Sequence, residues 1–265
     1  MSPWLAFLYG VVEGLTEYLP VSSTGHLILL SKFLHREAGS FEIVIQFGAI
    51  LAVVVQYRDL LLARARGLFS RDPRSTQLLV ALAVGFLPMA VLGLAVGKAV
   101  KHALFKPVPV AIALIAGGVL MIVAERVQAA RHEEGAEGLE AVTPARALAV
   151  GIGQCFAIFP GASRSMCTIV AGRVAGLSRR TAAEFSFLLG LPTLGAATMY
   201  SAYKERKELV EGVGGMALAV GLVVSFFVAW AVVALFLRYL TRRGLEPFGV
   251  YRILLGIAVL LLLAR

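Results

Sequence analysis

Apolar residues run along this chain in continuous blocks, without the polar alternation of a half-buried strand. Blocks near the roughly 20 residues that cross a bilayer core stand at about 41–57, 78–97, 108–125, 182–203, 213–237 and 248–264. Such blocks predict spanning helices and exclude a β-barrel. Two further segments place charge and hydroxyls where an apolar helix is expected. They are VVEGLTEYLPVSSTGHLILL at 11–30 and QCFAIFPGASRSMCTIVAG at 154–172, each built around a proline, Pro20 and Pro160. Polar groups at membrane depth are costly enough that function is their default explanation.

Composition agrees with the blocks. With 59% hydrophobic residues, 15% charged residues and a mean hydropathy of +0.84, the chain lies far outside the range of soluble globular domains. The start lacks a basic leader and is interrupted by Glu13 and Glu17, so it is expected to stay in place and not to be cleaved as a signal peptide. Cys155 and Cys167 have neither disulfide nor zinc-site spacing and are expected to pack as small apolar residues.

The net charge of +9 sits mainly in short connections, which argues for membrane orientation and against nucleic acid as a partner. Segments 58–77, 126–146, 173–180 and 238–247 contain 14 Lys and Arg residues. The connections assigned to the opposite side hold 9: Lys32, Arg36, Lys98, Lys101, Lys106, Lys204, Arg206, Lys207 and Arg265. The sides alternate if 5–30 and 147–176 enter the membrane and return as re-entrant helical hairpins, with Pro20 and Pro160 at their tips. Irregular backbone at that depth is tolerated only against protein or a watery cavity. The predicted fold is an all-α integral membrane protein with six transmembrane helices and two re-entrant hairpins. Residues 1–125 and 147–265 are the halves of an inverted-topology repeat, joined by a cytoplasmic linker at 126–146. Aligning the two polar segments on their prolines requires a one-residue gap.

Glu13 and Glu17 are four apart and share a helix face, so their charges repel unless a divalent cation, Mg²⁺ or Ca²⁺, or a shared proton joins them. Ser23 and His26 stand one helical turn apart, the spacing of a nucleophile and its base. Ser22 and Thr24 follow a proline, where capping a helix start is their ordinary use, and Ser22 is also a candidate phosphate ligand. In PGASRS, the Arg164 guanidinium matches phosphate oxygens, and Ser163, Ser165 and Thr168 add neutral donors. Carboxylates, a histidine with hydroxyls and an arginine cradle are equipment for phosphoryl transfer, and in a membrane the natural substrate is a phosphorylated lipid.

EGLTEYLPVSSTGH at 13–26, PGASRS at 160–165 followed by Thr168, FEIVIQFGAILAVV and EFSFLLGLP resemble the undecaprenyl-diphosphate phosphatase family of the bacitracin-resistance type, over essentially the whole chain. The resemblance implies hydrolysis of undecaprenyl diphosphate to undecaprenyl phosphate and phosphate, recycling the lipid carrier of bacterial cell-wall synthesis. It implies a divalent cation, a polyprenyl diphosphate substrate and a multi-pass protein of the inner membrane with its site open to the outer face. It also assigns Glu13 and Glu17 to the acidic pair, Ser23 and His26 to the first motif, and Ser163, Arg164 and Thr168 to the second. Met166 and Cys167 depart from the glycine and alanine common in that motif. On this reading Ser23, activated by His26, attacks the terminal phosphorus, or water attacks with His26 or Glu17 as base. The acid-phosphatase-like lipid phosphatases fit less well, because no histidine follows Ser165. An inverted-repeat secondary transporter or lipid flippase is the alternative function. The oligomeric state is open, a homodimer included.

Overall fold

A computed structural model of the chain describes all residues except 36–38, 105, 131–134, 208, 210–212, 264 and 265. Arg36, Arg131 and Arg265 therefore lie outside the described residues, as do the side chains of Lys98 and Lys101. The described residues form helices α1 (Pro3–Thr16), α2 (Ser23–Phe33), α3 (Phe41–Gln56), α4 (Arg58–Phe69), α5 (Pro73–Leu104) and α6 (Pro107–Ala130), then α7 (Pro144–Cys155), α8 (Arg164–Val174), α9 (Arg179–Lys204), α10 (Gly215–Leu240) and α11 (Glu246–Leu263). Each of the six apolar blocks falls in a helix. Among the described residues, α6, α9, α10 and the Pro73–Gly97 part of α5 are long and apolar enough to cross a membrane by themselves. A fifth span counts if α3 and α4, bent by 69° at Tyr57, are read as one broken element. The protein is thus all-helical and multi-pass.

The two polar segments fold as helical hairpins, and local signals explain both. Ser2 caps α1 by accepting from the Leu5 amide at 3.3 Å, with Pro3 in the first turn where no N–H is needed. The helix ends at Thr16, Pro20 prevents its continuation, and α2 returns so that Tyr9 and Ser31 meet at 3.0 Å. Thr143 and Pro144 start α7 in the same way. After Pro160, α8 returns along α7. The α1 hairpin starts at the bundle end where the Met1 amine meets the Val213 carbonyl at 3.3 Å. The α7 hairpin starts at the other end, where Arg146 donates to the carbonyls of Ala141 and Ala175. The tips meet inside.

Helix partners are exchanged between the halves: α1 packs on α10, α7 packs on α5, and α6 packs on α11. Missing side chains make these crossings close. A Cβ on Gly10 would come 2.9 Å from the Gly221 carbonyl oxygen, one on Gly151 would come 2.5 Å from that of Gly85, and one on Gly118 would come 2.6 Å from that of Gly249.

The four basic segments assigned to one side gather at one end of the bundle. Arg64 joins Glu140 at 2.6 Å and Asp72 at 3.6 Å, Arg126 joins Glu246 at 2.9 Å, Arg179 pairs with Glu125, and Ala136 bridges to Leu177. Residues 58–69, read from sequence as part of a basic loop, form α4. Leu62, Leu68 and Phe69 lie exposed on it beside the arginines, the pattern of a helix lying along a membrane surface. Arg173 is buried and donates to the Leu177 carbonyl at 2.8 Å, so it is a structural residue and not a solvated loop charge.

Candidate active site

The hairpin tips share one backbone device. Ser22 starts α2 at φ 73°, and Ser163 starts α8 at φ 70°, the left-handed region that non-glycine residues rarely occupy. Each serine hydroxyl accepts from the amide three residues on, Gly25 and Met166, at 3.3 Å in both cases. Superposing the caps brings the segments into register without a gap and displaces the prolines by one, so the proline-based alignment is corrected. In this register Ser23 corresponds to Arg164, and Glu13 corresponds to Gln154.

Glu17 joins the two tips. The Ser23 hydroxyl donates to its Oε2 at 2.7 Å, and Arg164 Nη2 approaches its Oε1 at 3.4 Å. Arg164 also donates through Nη1 to the Ser186 carbonyl at 3.0 Å, and its guanidinium lies 5.3 Å above the Tyr18 ring. Its Nε is buried without a hydrogen-bond partner among the described residues, and the Nη2 contact is long. Nη2, whose contact with Glu17 is long, is therefore the donor of the planar fork with room for a further oxygen partner. Gly190 gives the guanidinium room, since a Cβ there would stand 3.1 Å from Nη1.

Ser23 does not pair with His26. The imidazole Nδ1 lies 2.8 Å from the Ser22 carbonyl, and Nε2 lies 2.6 Å from the Tyr251 hydroxyl, with the two rings stacked 5.7 Å apart. A carbonyl oxygen only accepts, so Nδ1 carries a proton and donates to Ser22, while Nε2 shares a hydrogen bond with the Tyr251 hydroxyl. The residue hydrogen-bonded to Ser23 is Glu17.

Accessibility divides the candidates. Ser23, His26, Ser163 and Arg164 keep partial exposure, whereas Glu13, Glu17, Ser22, Ser165 and Thr168 are buried. Ser165 donates to the Leu19 carbonyl at 2.8 Å and thus ties the second tip to the first. Thr168 meets the Ser186 hydroxyl at 2.6 Å and donates to the Arg164 carbonyl at 2.8 Å. Ser22 is the cap of α2, and Ser163 caps α8 while meeting the Ser165 hydroxyl at 3.0 Å. Ser22, Ser165 and Thr168 are therefore buried behind Ser23 and Arg164, and their hydrogen bonds hold the two tips in shape.

Glu13 is 2% exposed, and its carboxylate makes no hydrogen bond or ion pair among the described residues. Its electrostatic neighbours are Glu17 and Glu42, both acidic. A carboxylate in that position calls for a cation or a proton. No group of three or more His, Cys, Asp or Glu residues among those described is arranged to hold a metal. The donors suit a hard cation held by one or two carboxylates and by substrate oxygens, the way Mg²⁺ is commonly bound.

Three participants escape the sequence reading: Ser186, Tyr251 and Arg252. Arg252 had a readable signal. Of 25 Lys and Arg residues, only Arg164 and Arg252 lie outside the basic connections, and Arg252 interrupts the last apolar block.

The family model described as bacitracin resistance protein BacA matches residues 6–258. The undecaprenyl-diphosphatase of Sorangium cellulosum is 57% identical over 259 residues, covering 96% of this chain and 84% of the relative. That of Thermoanaerobacter pseudethanolicus is 47% identical over 267 residues, covering 98% and 96%. The undecaprenyl-diphosphatase 2 of Rhodospirillum rubrum is 47% identical over 259 residues, covering 96% and 93%.

Proposed function

The chain belongs to the bacitracin resistance protein BacA family, and from that membership and the geometry of the hairpin tips we infer that it is an undecaprenyl-diphosphatase. It hydrolyses undecaprenyl diphosphate to undecaprenyl phosphate and inorganic phosphate, and so recycles the lipid carrier for cell-wall synthesis. The observation that carries this reading is the position of Glu17, hydrogen-bonded to the Ser23 hydroxyl and facing the Arg164 guanidinium.

Arg164 binds the terminal phosphate through Nη2. Ser23 Oγ attacks the terminal phosphorus as its proton passes to Glu17 Oε2. The P–O bond to undecaprenyl phosphate breaks, and the anhydride electron pair leaves with that product. Glu17 passes the serine proton to the departing undecaprenyl phosphate. Water then attacks the phosphoserine as its own proton goes to Glu17 Oε2, which returns it to Ser23 Oγ as the P–Oγ bond breaks and phosphate leaves. His26, held in place by Ser22 and Tyr251, places its imidazole beside this site to orient substrate or the attacking water. Glu13 and Glu17 would hold a Mg²⁺ or Ca²⁺ ion, which when bound supplies charge neutralisation on the diphosphate oxygens.

In this reading the protein sits in the bacterial inner membrane with six spans and two re-entrant hairpins. Residues 1–125 and 147–265 are inverted halves around the linker at 126–146. The exchanged helix partners and the hairpins entering from opposite ends support it. The basic end faces the cytoplasm by the positive-inside rule. The site opens outward, because α2, which carries the accessible Ser23 and His26, runs from the tips toward the opposite end.

The test is phosphate release from undecaprenyl diphosphate by purified protein in detergent, with Mg²⁺ or Ca²⁺ and with chelator. Turnover that chelator abolishes and either cation restores supports the reading. Binding without release, together with lipid flux in vesicles, would move the assignment to a transporter or flippase.

A further inference from the structure

Arg252 is 0% exposed, and no carboxylate pairs with it among the described residues. Its hydrogen bonds all go to backbone carbonyls. Nη1 donates to Pro20 at 3.3 Å, and Nη2 lies 3.0 Å from Gly161, 3.0 Å from Ala162 and 3.2 Å from Ala113. Pro20 stands two residues before the Ser22 cap, and Gly161 and Ala162 immediately precede the Ser163 cap. One guanidinium on α11 thus touches both hairpin tips and α6. A buried cation is costly unless its donors are used, and Arg suits this position because its fork reaches separate acceptors from one rigid plane. The left-handed serines explain the need. Strained backbone persists only where its surroundings over-determine it, and one cap hydrogen bond on each side is a small constraint.

We propose that Arg252 is a positioning residue of the phosphatase site: by joining the carbonyls of both hairpin tips it fixes the distance between Ser23, which follows one strained cap, and Arg164, which follows the other. This rests on the phosphatase reading above. The preceding residue, Tyr251, holds His26, so one turn of α11 braces three parts of the site. Displacements of about 1 Å in such an arrangement cost on the order of 10²-fold in rate.

Arg252→Lys tests the proposal, because a lysine keeps the charge but has no planar fork to span the two tips. Hydrogen exchange followed by mass spectrometry should show faster exchange at both 17–25 and 159–166. Phosphate release should show kcat lower by about 10- to 100-fold with KM within about threefold. Gly117→Ala provides a second perturbation if the lysine variant fails to fold. A Cβ there would overlap Arg252 Nη2, so the guanidinium is displaced without being removed, and the same pattern is expected. Unchanged exchange at either tip overturns the proposal. So does a kcat that, per folded molecule, equals that of the unaltered protein. If the unaltered protein releases no phosphate, the functional reading fails, and the clamp is judged by exchange at the two tips.

Discussion

Glu17→Gln separates the geometry seen here from the serine and histidine pairing that spacing alone suggests. The substitution keeps the side-chain shape and one oxygen but removes the charge and the proton acceptor. In the structure that carboxylate has two partners, Ser23 at 2.7 Å and Arg164 at 3.4 Å. The carboxamide oxygen satisfies one of them and turns an N–H toward the other, a buried mismatch worth about 1–3 kcal/mol of stability. Rate suffers more. Losing a general base costs about 10² to 10⁴, which is about 2.7 to 5.4 kcal/mol at 1.36 kcal/mol per tenfold. The assay is phosphate release from undecaprenyl diphosphate, read as kcat for Glu17→Gln, Ser23→Ala and the double variant. If Glu17 works through Ser23, the pair acts as a unit, and adding Glu17→Gln to Ser23→Ala lowers kcat by no more than about threefold further. Full multiplication of the two effects would refute the shared step. A kcat for Glu17→Gln within about threefold of the unaltered protein would refute the base, and near-normal turnover by Ser23→Ala would eliminate the covalent route.

Tyr251→Phe keeps the ring stacked on His26 and removes the hydroxyl on Nε2; at about 0.5–1.5 kcal/mol for one hydrogen bond, kcat should fall about 2- to 13-fold with little change in melting temperature. A larger loss of stability than of rate would mark the contact as structural. Gly190→Ala crowds Arg164 Nη1, so it should raise KM for undecaprenyl diphosphate more than it lowers kcat, and a pure kcat effect would count against Arg164 as the phosphate holder. At the basic end, the Ser75 hydroxyl and amide hold the Asp72 carboxyl below its ordinary range. The Glu140 carboxyl is held low by its own backbone amide and by Arg64. Both contributions to stability are present above the unfolded carboxylate range near pH 4 and are lost as pH falls from there through the lower folded values. The melting temperature in detergent should therefore drop as pH is lowered below about 4, and Arg64→Ala should flatten that drop.

The membrane helices and the two hairpins are readable in the sequence because they follow from one-dimensional facts. Apolar blocks of the right length must be helices in lipid, and a proline amid hydroxyls must break one. The α4 helix was hidden because arginines and a glycine dilute its leucines, so its hydropathy reads as loop. The meeting of Glu17, Ser23 and Arg164 was only half legible. Residue types named the chemistry, but Ser23 and His26, three residues apart, suggested a local pair where the hydroxyl turns instead to a carboxylate across the tip. Contacts such as His26 with Tyr251 join residues 225 positions apart and leave no periodic trace. The left-handed caps were equally invisible, since serine carries no sign of φ near +70° as glycine would.

Those caps also explain why the two tips can differ so much in chemistry. Ser22 and Ser163 share φ, cap bond length and place at a helix start, so the backbone presents the next residue of each segment in an equivalent frame. One frame presents Ser23, short and nucleophilic, and the other presents Arg164, long and cationic. Nine residues before each cap stand Glu13 and Gln154, a charged and a neutral version of nearly the same shape. Two carboxylates beside two arginines would bind a diphosphate with no nucleophile at hand, and two serines beside two acids would repel it. In the proposed mechanism, equivalent frames carrying unlike residues place attack and charge neutralisation on opposite tips, with Glu17 as the contact between them.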